Sequence, residues 1–87
     1  MSYRLEIKDS ARKQIARLSK PDQRRVMVAI ADLADVPRPG GVRKIVGADS
    51  AYRIRVGDYR IIYEIIDRVL TIYIVRVAHR KDVYRGL

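Results

Sequence analysis

Residues 51–87 read AYRIRVGDYRIIYEIIDRVLTIYIVRVAHRKDVYRGL, and their pattern decides the fold. β-Branched and aromatic residues alternate with arginines through three consecutive segments, the period of strands that bury one face. Gly57-Asp58 supplies a two-residue hairpin turn with glycine first, and Asp67-Arg68 supplies a second turn. The predicted strands run from Tyr52 to Val56, from Tyr59 to about Ile66, and from Val69 to about Ala78. With Gly57 and Asp58 in the turn, Val56 faces Tyr59, Arg55 faces Arg60, Ile54 faces Ile61 and Arg53 faces Ile62. Alternation then gathers Arg53, Arg55 and Arg60 on one face, and Tyr52, Ile54, Val56, Tyr59, Ile61, Tyr63 and Ile65 on the other. Carried through the second turn, the same register adds Leu70, Ile72 and Ile74 to the core face. It sends Ile62, Glu64, Thr71, Tyr73, Val75 and Val77 to the arginine face, unless a bulge shifts the last strand.

Like charges placed opposite one another on a hairpin repel, so the arginine face calls for an anion. A face that is both cationic and apolar is expected to be covered part of the time by a partner.

Upstream, Tyr3, Leu5 and Ile7 alternate with Arg4, Glu6 and Lys8 as a short half-buried strand. Asp9 or Ser10 is placed to cap a helix whose apolar positions Ala11, Ile15 and Leu18 recur at spacings of three and four. Ser19, followed by Pro21 and Asp22, opens a second helix. Its stripe is Val26, Ile30 and Leu33, widened by Met27, Ala29 and Ala34. Pro37, Pro39, Gly40 and Gly41 stop it. Residues 42–50 form a connector in which Val42, Ile45 and Val46 tuck under the fold and Arg43 and Lys44 stay in water. The predicted class is therefore α+β: an N-terminal strand, a helical hairpin, then a three-stranded antiparallel meander, with the helices packed on one face of a small sheet.

Eighty-seven residues suit a single domain. Without cysteine there is neither a disulfide nor a thiolate metal site, and one histidine makes a zinc centre improbable; no metal and no cofactor is expected. Nineteen Lys and Arg against ten Asp and Glu give a net charge of +9, which points to an anionic partner such as nucleic acid. Arginine outnumbers lysine, which suits bidentate phosphate recognition. No signal peptide and no run long enough to span a bilayer is apparent, so a cytoplasmic protein with no membrane partner is expected.

The run Tyr52-Arg-Ile-Arg-Val-Gly-Asp-Tyr-Arg-Ile-Ile-Tyr63, a hydrophobic strand, and then His79-Arg-Lys-Asp-Val-Tyr-Arg85 resemble the RelE toxins of the RelE/ParE toxin-antitoxin superfamily. The preceding strand, helical hairpin and overall size match as well. The resemblance implies a metal-independent, ribosome-dependent endoribonuclease that cleaves messenger RNA in the aminoacyl site. It also implies a cognate acidic, RelB-like antitoxin that holds the toxin inactive in a hetero-oligomer. Within the superfamily the alternatives are a ParE-like toxin that binds DNA gyrase without cutting RNA, and a catalytically inactive relative that keeps only RNA or antitoxin binding.

Carried over by position, the resemblance makes Arg60 the phosphate-contacting arginine, Arg80 the basic residue after the last strand, and Tyr84 the C-terminal tyrosine. His79 matches those members in which histidine precedes that arginine. Arg53, Arg55, Lys81 and Arg85 complete the phosphate-binding set. Some relatives carry lysine at positions 53 and 55, and an arginine cannot give up its proton as a lysine can. Metal-free scission needs a base for the ribose 2′-hydroxyl, donors for the charged phosphorane and an acid for the departing 5′-oxygen. The arginines suit the second task, and His79 or Tyr84 must serve the others.

Overall fold

The computed structural model describes residues 2–82. Five strands form one sheet in the order β1-β5-β4-β3-β2: β1 is Arg4–Ile7, β2 Arg43–Lys44, β3 Ala51–Val56, β4 Tyr59–Ile66 and β5 Thr71–His79. All neighbouring pairs are antiparallel except β1 and β5, which run parallel with Arg4 beside Thr71 and Ile7 beside Ile74. A parallel pair needs a crossover. The helical hairpin is part of it: α1 (Asp9–Ala16) and α2 (Lys20–Leu33) lie between β1 and the rest of the sheet in the chain.

The helices bury the expected stripes. Ala11 and Ile15 of α1, with Val26, Ile30 and Leu33 of α2, are at most 8% exposed and pack on Ile54, Ile61, Tyr63, Ile65, Ile72 and Ile74 of the sheet. Each Val, Leu or Ile among them contributes about 1.5–3 kcal/mol when fully buried. The short join is fastened by Gln23, whose amide donates to the carbonyls of Ala16 (3.2 Å) and Leu18 (3.0 Å) at the end of α1. The Ser19 hydroxyl caps α2 by accepting from the Asp22 N–H, as the sequence predicts.

Several local expectations are corrected. Helix α1 begins at Asp9 itself, with no side-chain cap; the preceding Lys8 N–H is instead tied to the Ile74 carbonyl, so the β1–β5 ladder runs straight into the helix. Asp9 sits in the first turn, where its carboxylate favours the positive end of the helix dipole. Met27 is 42% exposed, off the buried stripe. The connector contains β2, and Val46, expected to tuck under, is 98% exposed. The second turn is longer than Asp67-Arg68: Asp67–Val69 form a 3-10 turn and Leu70 follows at φ +48°. Val69 and Leu70 are therefore exposed, and the last strand begins at Thr71.

The first hairpin has the predicted register at every pair from Val56–Tyr59 back to Arg53–Ile62, with Gly57 at φ +59° in the turn. The bulge falls in β5. Ile62 pairs with Arg76 but Tyr63 pairs with Ile74, so Val75 has no residue opposite. Beyond it the alternation inverts. Val77 turns to the core face, where it is 2% exposed, and Arg76 takes the place on the arginine face assigned to the valines. Gln14 of α1 supports this end of β5, its side-chain oxygen accepting from the Val77 N–H at 2.8 Å. Among the described residues, no helix is long and apolar enough to cross a membrane.

Candidate nucleic-acid interface

The sheet face turned away from the helices is ordered in cross-strand rows. In one, Arg43, Arg53, Ile62 and Arg76 stand side by side on β2, β3, β4 and β5. The next row towards the Gly57 turn holds Arg55, Arg60 and Ala78. On the other side of the first row lie Ala51, Glu64, Tyr73 and Glu6. The face is thus polarised, with five arginines in two adjacent rows and two carboxylates in the third.

Arg43, Arg53, Arg55 and Arg60, with Gly41 and Ile54, line a depression of about 320 Å³. The Arg55 side chain is steered over the turn by its Nε–H, which donates to the Gly57 carbonyl at 3.1 Å. On the other side of the sheet centre, Arg76 Nη2 donates to the Asp82 carbonyl at 2.9 Å, holding the turn after β5 against this face. Two guanidinium nitrogens, Arg60 Nη1 and Arg76 Nε, are buried without a hydrogen-bond partner. An N–H donor left in that state costs about 1–3 kcal/mol, and a guanidinium that turns outward to an anion seated among these rows would be relieved of it. Among the described residues, no cluster of three or more His, Asp or Glu could hold a metal.

Arg53, Arg55 and Arg60 therefore come together as the sequence predicts. Arg80 and Lys81 are exposed in the turn after β5, whose path is fixed by the Arg80 N–H donating to the Asp58 carbonyl at 2.8 Å. His79 is not brought to the same face. It pairs with Tyr59, with the rings edge-on and centroids 5.9 Å apart, and alternation places this pair opposite the side of Arg60. Its Nδ1 accepts from the Lys81 N–H at 3.2 Å. Tyr84 and Arg85 lie outside the described residues. The structure adds two arginines that the sequence reading did not assign to the site, Arg43 and Arg76.

A second polar cluster lies at the far end of the sheet. Asp67 accepts from the Tyr3 hydroxyl (2.6 Å) and from Arg38 Nη2 (2.9 Å), and the Arg38 guanidinium lies over the Tyr52 ring, 5.3 Å from its centre. The Tyr3 hydrogen bond first, and then that of Arg38, hold the Asp67 carboxyl below the usual carboxylate range. The cluster ties β1, the loop after α2, β3 and the 3-10 turn together.

Comparison with known proteins gives this architecture a family. Residues 5–84 match the family described as "ParE toxin of type II toxin-antitoxin system, parDE". The toxin RelG of Mycobacterium tuberculosis is 35% identical over 93 aligned residues, covering 98% of this chain and 99% of that one. The chain belongs to the RelE/ParE superfamily of type II toxins. Among solved structures, the archaeal RelE–RelB complex of Pyrococcus horikoshii OT3 contains a chain that is 33% identical. That match covers 92% of this toxin and 97% of that chain, with a TM-score of 0.78. A mutant of the Escherichia coli toxin RelE in the free state, 22% identical, shares the fold at a TM-score of 0.79 over 93% of this toxin and 86% of that chain. The two helices on a mixed five-stranded sheet are thus the RelE/ParE toxin fold, and the arginine rows are this toxin's candidate site.

Proposed function

We propose that this toxin is a metal-independent endoribonuclease that cleaves messenger RNA in the ribosomal aminoacyl site and so inhibits translation. The observation that carries the reading is the pairing of Arg55 with Arg60, beside Arg53, around a guanidinium nitrogen that is buried and unsatisfied. Such an arrangement suits a phosphodiester, and the resemblance to RelE toxins supplies messenger RNA as its source.

In this reading the 2′-oxygen of one nucleotide attacks the adjacent phosphorus, and the bond to the 5′-oxygen of the next nucleotide breaks. Arg60, supported by Arg53, Arg55 and Arg80, neutralises the charge that grows on the phosphorane oxygens. Fixed cations need no rearrangement as that charge develops. Lys81 and Arg85 bind the backbone nearby. Proton transfer falls to His79 and Tyr84. One of them takes the 2′-hydroxyl proton and the other gives a proton to the departing 5′-oxygen: Tyr84 acts as base only as phenolate, and His79 acts as acid only as imidazolium, in which Nδ1 carries a proton and its contact with the Lys81 N–H opens. For either role the His79 ring must reach round the open end of the sheet.

The inhibitor is an acidic RelB-like antitoxin. The P. horikoshii relative is a RelE–RelB complex, and a net charge of +9 favours an acidic partner that covers the arginine rows.

Primer extension on a reporter message in a translating extract tests the activity. New 5′ ends inside the reading frame, present only when ribosomes are engaged, are expected. Full activity in both His79→Ala and Tyr84→Phe would remove the proton-transfer roles. The second reading, a ParE-like toxin acting on DNA gyrase, is favoured by the matching family's own description. Relaxed DNA accumulating in a supercoiling assay, with no new message ends, would establish it instead.

A further inference from the structure

The arginine rows are wider than one phosphate needs. Arg43, Arg53, Ile62 and Arg76 occupy four neighbouring strands, and three strand spacings amount to about 14 Å. A single phosphate held by Arg55 and Arg60 leaves both ends of this row unused. At one end Arg43 lines the cationic depression. At the other, Arg76 has a buried Nε with no acceptor while its Nη2 is anchored on the Asp82 carbonyl, so the guanidinium is already oriented. Between them Ile62 is 3% exposed, an uncharged position in the middle of the row.

The direction of a bound strand is set by the third row. A polyanion lying along the β-strands would leave the arginines and run over Glu64 and Glu6, which share the face one row further on. Crossing the β-strands keeps it over the two arginine rows and away from the carboxylates.

We propose that a single RNA strand crosses this face perpendicular to the β-strands, from β2 to β5, with Arg43 and Arg76 holding the phosphates on either side of the one at Arg55 and Arg60. The inference rests on the reading of this face as the RNA site and adds two residues and a direction to it. Arg76 is a binding residue in its own right, set in place by the bulge at Val75.

The test is the salt dependence of binding, read by fluorescence anisotropy on the whole toxin with a 2′-O-methyl tetranucleotide that cannot be cleaved. Each single-strand phosphate contact contributes about 0.7 to the slope of log affinity against log salt. Arg43→Gln and Arg76→Gln are each expected to lower the slope by about that amount. The proposal is overturned if either variant keeps the wild-type slope while Arg60→Gln lowers it. If Arg60→Gln also leaves the slope and the affinity unchanged, the RNA reading of the face fails with it. Arg76→Gln also loses the tie to Asp82, so its melting curve is recorded beside that of Arg43→Gln, whose residue lies on an exposed two-residue strand.

Discussion

Arg60 holds a buried N–H that no group of the described chain accepts. A side chain retained in that condition contributes to binding more than to folding, because the free protein bears the cost of the unsatisfied donor. Arg60→Ala is therefore expected to lower single-turnover cleavage by about a hundredfold to a thousandfold, the usual effect of deleting one donor to a developing oxyanion. The melting temperature should stay level or rise. Tyr63 is the reverse case. Its ring is fully buried in the core and its hydroxyl donates to the Pro37 carbonyl at 2.7 Å, tying the loop after α2 to the sheet. Tyr63→Phe should cost about 1 kcal/mol in chemical denaturation. Burial first pushes the phenol up to about 12, so between its ordinary value and that point the unfolded chain ionises while the folded one does not. Stability falls as pH rises through this window, and the fall should be shallower in Tyr63→Phe.

At the scale of elements, one extra residue in β5 decides what the arginine face contains. Were Val75 paired with Ile62 in a regular ladder, Arg76 would fall opposite Ile61 on the core face, where a buried, unpaired guanidinium costs more than a small domain has to spare. The bulge is what avoids this. Deleting Val75 removes the extra residue and keeps Arg76 opposite Ile62 and Val77 opposite Ile61, so the deletion variant should still fold and melt cooperatively by circular dichroism. The first hairpin was legible in the sequence pair by pair because its turn is two residues long, with glycine where φ is positive, and its alternation is unbroken. The bulge was legible only as a conflict. A regular register through Leu70, Ile72 and Ile74 carries Arg76 onto the core face, and a charge there signals that the register cannot be regular. Arg43 escaped for a different reason, since a strand of two residues has no alternation to detect, and Val46 beside it looks buried on hydrophobicity alone. The arginine set on β3 and β4 was therefore readable from local pattern. Its two ends depended on pairings between segments far apart in sequence.

For the molecule as a whole, the Tyr3–Asp67–Arg38 cluster closes the sheet end opposite the Gly57 turn by tying segments distant in sequence. Asp67 is depressed in the folded state, so its contribution is present above the ordinary carboxylate range and is lost as pH falls through the folded value. Asp67→Asn should melt below wild type at neutral pH, and the gap should close as thermal unfolding is repeated at progressively lower pH. The effect will be modest, because the group is in solvent and screened.

The parallel pairing of β1 with β5 has a consequence for the order of events during synthesis. The strand made first lies at the edge of the sheet, and its neighbour is the strand made last, more than sixty residues later. The row from Arg43 to Arg76 needs that same late strand, so a nascent chain carries its arginines dispersed until the sheet closes. Contacts this remote form slowly, and a prematurely terminated chain lacking β5 has neither a complete core nor the full cationic face. Truncated products of this toxin should therefore be harmless, and the interval before closure is one in which a waiting inhibitor can meet the chain before it is competent.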